Sequence, residues 1–366
     1  DRSQKTLARA TAYNTLMSCA PNAILFTFGD NDTYPLWFLQ EVEGIRTDVR
    51  VVNLSLLQTD WYIDQQRRAA YDSPPVPFTM DPSKYAGSKR EQIFIQDKKL
   101  GYQDVRDIIK FVSSDDPKDK IPWQDRYIDY IPTKSFRIAV DSAKVVNIKG
   151  LIPQGMENRI AKSVDWDLSK SYILKNDLMI LDLLAGFDWK RPVYFAVTTG
   201  PESYLSLQNY FQLEGLAYRL VPIKSKREEM NHGTRVNTER MYDNVMNKFL
   251  YGGMKTAGVN LDENCIRMAA NMRIQMTTLA SALIEEGKKD KARKLLDRMM
   301  EEMPESNVPY DATLYSAVLC RYQLGQYKEG NELAKKLFDI FEGDAFIYVT
   351  MKAEDQMLYG REIDQC

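Results

Sequence analysis

Phe26-Thr27-Phe28-Gly29-Asp30-Asn31-Asp32-Thr33-Tyr34-Pro35-Leu36-Trp37 is the stretch whose reading decides the fold. An apolar run over residues 23–28 breaks on a glycine and two acids, and a helix-like segment starts at once. Strand, sharp turn and helix is the place where open α/β sheets put their ligand sites. The turn carries carboxylates instead of a phosphate-cradling glycine loop. A site built on it favours a cation, a sugar hydroxyl or a hydrogen-bond donor over a bare phosphate.

Working outward, residues 3–19 read as a helix ending before Pro21, and residues 33–43 as a second helix. Asp32 or Thr33 can cap that second helix, Pro35 fits its first turn, and Gly44 stops it. A further apolar run over 49–57 completes a β-α-β unit, expected as a right-handed parallel crossover. Asp60-Trp61-Tyr62-Ile63-Asp64 opens a short helix running to about Tyr71. The chain is then loop-rich to Pro132, with one clear helix whose Val105, Ile108, Ile109 and Val112 share a face. Phe136, Ile138 and Val140, then Val146 and Ile148, alternate like a hairpin around Asp141-Ser142-Ala143.

Residues 176–185 read as an apolar helix capped by Asn176 and stopped by Gly186. A second β-α-β unit is expected after it: strand 192–197, turn Thr198-Thr199-Gly200-Pro201, helix near 203–213, closing strand 218–222. Gln40-Glu41-Val42-Glu43-Gly44-Ile45 resembles Phe211-Gln212-Leu213-Glu214-Gly215-Leu216 at similar offsets from the two first strands. The two units read as a weak internal repeat, two half-sheets around a shared crevice, or as two common patterns that coincide.

Beyond residue 262 everything reads as helix. Gly287, Ala292, Leu296, Met299 and Pro304 have the intervals of a tetratricopeptide repeat's second helix, and Gly325, Gly330, Ala334 and Leu337 repeat them. Ala280, Leu283, Ala317 and Leu324 supply the facing first helices. That gives about two repeats, fewer than a free-standing array needs, so support from the α/β part is expected. The fold class is therefore α/β, a mostly parallel sheet with flanking helices, over residues 1–255. An all-α tetratricopeptide-like domain follows over 256–366.

The bulk numbers exclude several function classes. The 366 residues carry a formal net charge of -2, which gives no electrostatic case for nucleic acid. No apolar run approaches a membrane span. Asp1-Arg2-Ser3-Gln4-Lys5 resembles neither an initiator nor a signal peptide, so the chain reads as a fragment of something longer or a processed product. Cys19, Cys265, Cys320 and Cys366 are far apart and form no C-x-x-C pair, which excludes a ribbon-type zinc site. The sequence indicates no disulfide among them. The single histidine, His232, lies in a polar, glycine-bearing stretch and reads as a solvated loop residue.

The candidate ligand-binding residues are Asp30, Asn31, Asp32, Trp37, Asp60, Trp61, Thr198 and Thr199. Three readings of the Asp30-Asn31-Asp32 turn are open. It is a plain turn and cap, since Asp and Asn bond nearby backbone N–H groups. It is half of a sugar or peptide site, with Trp37 offering a stacking face beside acidic acceptors. Or it holds a divalent cation, with further ligands drawn from Asp60 or Asp64, since two oxygens alone chelate weakly. Thr59-Asp60-Trp61-Tyr62 follows the second strand and so belongs on the same sheet edge, where it serves as a cap or as part of the site. Thr198-Thr199-Gly200 holds the corresponding place in the second unit. No catalytic residue is assigned and no cofactor is expected.

Several long motifs carry a resemblance. These are residues 22–65 with the Gly-Asp-Asn-Asp-Thr turn, Glu41-Val42-Glu43-Gly44-Ile45-Arg46-Thr47-Asp48-Val49-Arg50, and Asn53-Leu54-Ser55-Leu56-Leu57. Trp189-Lys190-Arg191-Pro192-Val193-Tyr194-Phe195-Ala196, residues 213–222 and Arg240-Met241-Tyr242-Asp243-Asn244 extend it. Together they resemble the soluble region of the DUF2723 family. These are large bacterial proteins with an N-terminal multi-span domain related to lipid-linked protein O-mannosyltransferases. The resemblance implies a soluble C-terminal part displayed on the extracytoplasmic (periplasmic) face of the inner membrane. It also implies that any glycosyl-transfer chemistry lies mainly in a membrane domain not present in this sequence. The expected role is accessory, binding acceptor polypeptide or glycan, with protein partners on the helical repeats and the membrane reached through the N-terminal part. A scaffold with no ligand site and a metal-dependent sugar-processing enzyme are the competing classes.

Overall fold

The computed structural model describes residues 5–230 and 233–351. His232 and Cys366 lie outside the described residues. α1 (Leu7–Ser18) precedes β1 (Ile24–Thr27), α2 (Asp30–Glu41), β2 (Arg50–Asn53) and α3 (Asp60–Gln66). A stretch of short elements follows: β3 (Gln92–Ile95), β4 (Gln103–Asp104), α4 (Val105–Ser113), β5 (Ile121–Trp123), β6 (Arg126–Ile128) and β7 (Tyr130–Ile131). β8 (Ser135–Ala139), α5 (Ser142–Val145), β9 (Ser163–Asp167) and β10 (Tyr172–Leu174) complete it. Then come α6 (Lys175–Ala185), β11 (Val193–Ala196), β12 (Phe211–Leu213), β13 (Ala217–Leu220), β14 (Arg235–Val236) and α7 (Thr238–Asp243). The remainder is helical: α8 (Glu263–Glu285), α9 (Lys289–Glu302), α10 (Tyr315–Gln323) and α11 (Tyr327–Thr350). The chain divides into one unit of Ala12–Asn244 and another of Asp1–Thr11 with Val245–Cys366. No helix among the described residues is long and apolar enough to cross a membrane.

The α/β unit is built on a six-stranded sheet of order β14-β12-β13-β11-β1-β2. β1 runs parallel to β2 and β11, and β12 parallel to β14, while β13 is antiparallel to β11 and β12. The alternation within β1 explains its central place. Ile24 and Phe26 face one apolar cluster with Val52, Phe195, Tyr62 and α6 residues. Leu25 faces the other, with Val51, Tyr194, Leu16, Leu36 and Leu39. A strand buried on both faces needs helices on both, and a parallel neighbourhood supplies them. Phe26 meets Phe195 across the sheet, ring centroids 5.0 Å apart.

Three expectations are corrected. α2 starts at Asp30, so Asp30, Asn31 and Asp32 form its first turn and do not precede it. The cap position is Gly29, at φ 78°, with no side-chain cap. The Thr33 hydroxyl instead turns back to the Gly29 carbonyl at 2.7 Å. The expected hairpin over 136–148 is absent. The Asp141 carboxylate accepts the Lys144 N–H and caps the short α5, and β8 pairs antiparallel with β9. The second β-α-β unit is also absent. Leu205 and Ser206 sit at φ 49° and 60°, which breaks any helix between 203 and 213. Phe211–Leu213 instead pairs with Ala217–Leu220 as a hairpin. The expected internal repeat therefore has no shared unit behind it: Gln40–Glu41 ends a helix, whereas Phe211–Leu213 is a strand.

In the other unit, α8 leads to α9 and α10 to α11 through the same device. Gly287 and Gly325 take φ 76° and 74°, and the next N–H reaches back to Leu283 at 2.8 Å and Arg321 at 2.9 Å. This is the paired-bond helix end that glycine permits. The sequence offers Gly330 where alanine is usual, and the reason is steric. A Cβ there would lie 2.8 Å from the Tyr322 ring, whose hydroxyl is tied to Asn331 at 2.8 Å. Gly343 in the same helix has open space around it. Gly343→Ala is expected to stabilise by up to about 1 kcal/mol through helix propensity. Gly330→Ala is expected to destabilise by about 1 kcal/mol, because overpacking outweighs that gain. Thermal melts followed by circular dichroism should give shifts of opposite sign.

Candidate functional site

Parallel pairing brings the C-terminal ends of β2, β1 and β11 to one edge of the sheet. A polar network fixes that edge. The Thr27 and Thr33 hydroxyls lie 2.8 Å apart, and Asn53 Nδ2 donates to Thr33 at 2.9 Å. Asn53 Oδ1 accepts from Ser55 and Leu56 N–H groups at 2.8 and 3.0 Å. Asn53 thereby ends β2 and starts the turn that leads to α3.

The expected site residues divide into four groups. Asp32 and Thr198 meet in a side-chain hydrogen bond across the β1–β11 ends, and Tyr204 hydrogen-bonds Thr199 beside them. Thr199 also donates its hydroxyl to the Ala196 carbonyl at 2.9 Å, which closes its turn. Asp30 and Asn31 are exposed in the first turn of α2, Asp30 bonded to the Tyr34 hydroxyl one turn on. Asp60 is engaged elsewhere: its carboxylate pairs with Lys175 Nζ at 2.8 Å and accepts from the Gly87 N–H. Asp64, the other expected donor to a cation, accepts the Tyr85 hydroxyl at 2.5 Å. Among the described residues no group of three or more His, Cys, Asp or Glu side chains could hold a metal ion.

Burial raises the Asp32 carboxyl above the ordinary carboxylate value, against the Thr198 hydrogen bond that favours the charged form. Folding therefore favours the protonated acid. Its contribution to stability is complete below the ordinary value of 3.8 and is lost as pH rises through the raised folded value. Asp32→Asn is expected to raise stability at about pH 7 and to leave it nearly unchanged at about pH 3. Denaturation midpoints at the two pH values check this. Equal effects at both would contradict it.

Trp37 and Trp61 belong to a different feature. α2 packs on one face of the sheet and α3 on the other, and β2 is the edge strand between them. A groove of about 520 Å³ lies along that edge. Trp37 and Tyr34 form one wall, stacked with centroids 5.6 Å apart at 25°. Trp61, which is 59% exposed, and Tyr62 form the opposite wall, edge to face at 5.5 Å. The Tyr71 hydroxyl bonds the Glu41 carboxylate across the rim. Arg50, Gln66 and Ser73 also line the groove. Tyr34 and Trp61 are exposed and Trp37 partly so, and aromatic faces with a few polar groups between them suit stacking against a pyranose ring or a planar side chain. Sequence reading had placed Trp37 and Trp61 beside the aspartates. It missed Tyr34, Tyr71, Arg50 and Gln66, because nothing local marks residues that meet only through the sheet edge.

A family model described as TMEM260-associated domain 2 matches residues 8–240. The chain belongs to that family. The matched span takes in the whole α/β framework, the strand-end cluster and every residue of the groove. No curated protein and no solved structure matches the chain.

Proposed function

We propose that this chain is the soluble, extracytoplasmic accessory part of a membrane glycosyltransferase-like protein of the DUF2723 type. Its groove between α2 and α3 binds acceptor polypeptide or glycan. Membership of a TMEM260-associated family and the long shared motifs support the membrane context. The observation that carries the binding role is the pair of aromatic walls, Tyr34–Trp37 and Trp61, facing an open groove of about 520 Å³. Indole and phenol faces left half-exposed on either side of a cleft are a poor arrangement for solubility alone and a good one for recognition. The residues 1–255 and 256–366 act as two functional parts, the second taking a protein partner on α8–α11.

Glycan and serine/threonine-peptide arrays probed with the wild-type chain, Trp37→Ala and Trp61→Ala test the reading. A class of glycan or peptide should bind the wild type and be lost from both variants. Binding that survives both substitutions, or no binding at all, would remove the ligand role and leave a scaffold.

A further inference from the structure

Arg50 is buried at the groove wall, and among the described residues no carboxylate pairs with it. Its Nε donates to Ser73 Oγ at 3.3 Å, and Nη2 to the carbonyls of Arg68, Ser73 and Pro74 at 2.7, 3.2 and 3.2 Å. Nη1 donates to no described residue. Arg191 crowds the same loop, giving Nη2 to Ser73 Oγ at 2.9 Å and Nη1 to the carbonyls of Pro74 and Pro75 at 3.0 and 2.6 Å. It too has no carboxylate partner among the described residues, and burial beside Arg50 lowers its pKa to about 10. Burying a guanidinium without a counter-charge is costly, and a second, partly buried one beside it adds repulsion. Glu41, the one carboxylate on the groove lining, is held at the rim by Tyr71 and does not reach Arg50.

Gln66 supplies a second, independent vacancy of hydrogen bonding. It is 4% exposed and lines the groove, yet its Oε1 is buried without a partner. A buried acceptor left unmet costs about 1–3 kcal/mol, and turning the Gln66 amide over would bring its oxygen to a donor in the groove.

We propose that the groove takes an anionic saccharide, its carboxylate or phosphate facing Arg50 and a hydroxyl donating to Gln66, with the sugar ring against Trp37 or Trp61. This rests on the binding role proposed for the groove and names its ligand class. The guanidinium is the side chain best matched to planar or tetrahedral oxyanions. The aromatic walls supply the stacking face, and the unmet amide oxygen takes a donor, which a sugar hydroxyl beside the anionic group supplies. The strand-end aspartates play no part in this. The cation-seeking chemistry expected from Asp30 and Asp32 and the anion-seeking chemistry of Arg50 belong to different places on the unit.

Calorimetry on the full chain with a galacturonate trisaccharide, mannose 6-phosphate, a neutral mannose trisaccharide, inorganic phosphate and an acidic peptide tests the proposal. At least one acidic sugar should bind about tenfold or more tighter than the neutral one, weakening in about 0.5 M salt. The two acidic sugars distinguish a carboxylate from a phosphate as the recognised group. Arg50 also anchors the loop at Ser73, so Arg50→Gln risks unfolding. Gln66→Glu avoids that by placing a carboxylate in the same wall, and it should abolish binding of the acidic sugar while the chain stays folded. Equal binding of the neutral sugar would overturn the anionic assignment and leave the wider binding role standing. Tight binding of phosphate or of the acidic peptide in preference to the sugars would overturn the saccharide. No binding of any probe would end both.

Discussion

Replacing Glu214 by alanine is expected to destabilise the α/β unit by about 3–5 kcal/mol. Glu214 is fully buried just after β12. Its carboxylate accepts the Tyr194 hydroxyl at 2.6 Å and Gln212 Nε2 at 2.8 Å, and it lies 2.8 Å from Arg240 Nε. Arg219, itself 1% exposed, stands at 3.8 Å. Asn237 Nδ2 adds a bond at 3.3 Å. One acid thus joins β11, the β12–β13 hairpin and α7. Removing it leaves the buried Arg219 and the partly buried Arg240 without their shared counter-charge, and the cost follows from that more than from the lost bonds. Glu214→Gln keeps the Tyr194 contact and should lose less. Chemical denaturation followed by tryptophan fluorescence measures this unit selectively, because all five tryptophans lie between Trp37 and Trp189. A loss under about 1 kcal/mol would show that the cluster is not the fastening described here.

Lys175→Ala is expected to cost about 2–4 kcal/mol, the Asp60 share of it reduced because that carboxylate is partly open to solvent. Lys175, at the start of α6, is almost fully buried, and its ammonium joins Asp60 at 2.8 Å to the carbonyls of Tyr85 and Gly87 at 2.9 and 3.0 Å. All three protons of the ammonium are therefore used. Without it, two carbonyls and the first residue of α3 lose their anchor. Because Trp61 follows directly, the substitution should also weaken whatever the groove binds. Asp60→Asn keeps an acceptor for Lys175 and should cost less than Lys175→Ala on the same denaturation curves. The reverse order would mean that Asp60 acts outside its pairing with Lys175.

The first β-α-β unit was legible because each of its signals is local. Ile24-Leu25-Phe26-Thr27 is apolar on both faces, a positive-φ glycine ends it, and Pro35 sits within the first turns of a helix. The helical pairs were legible for the same reason, since Gly287 and Gly325 mark equivalent turns. The second unit was misread because apolar content near 203–213 suits a helix or a strand equally. What decides it is a left-handed bend at Leu205–Ser206 and a partner strand only a few residues further on. β8 was paired with the wrong neighbour because Val146 and Ile148 alternate correctly, whereas its true partner, β9, follows a helix and a long loop. Trp37 and Trp61 were found as aromatic outliers beside strand ends. Arg50 was not, because its importance lies in the absence of an acid near it, and a sequence with 51 acidic residues gives no hint of which cation lacks one.

On the proposed function, the groove along the edge of β2, and not the aspartate turn, is where this chain meets its ligand. The most direct measurement is the set of five indole N–H resonances of the uniformly labelled chain during titration with the tightest-binding glycan or peptide. The account predicts saturable shifts of the Trp37 and Trp61 signals, with those of Trp123, Trp166 and Trp189 staying in place. Binding that leaves Trp37 and Trp61 unmoved would contradict it.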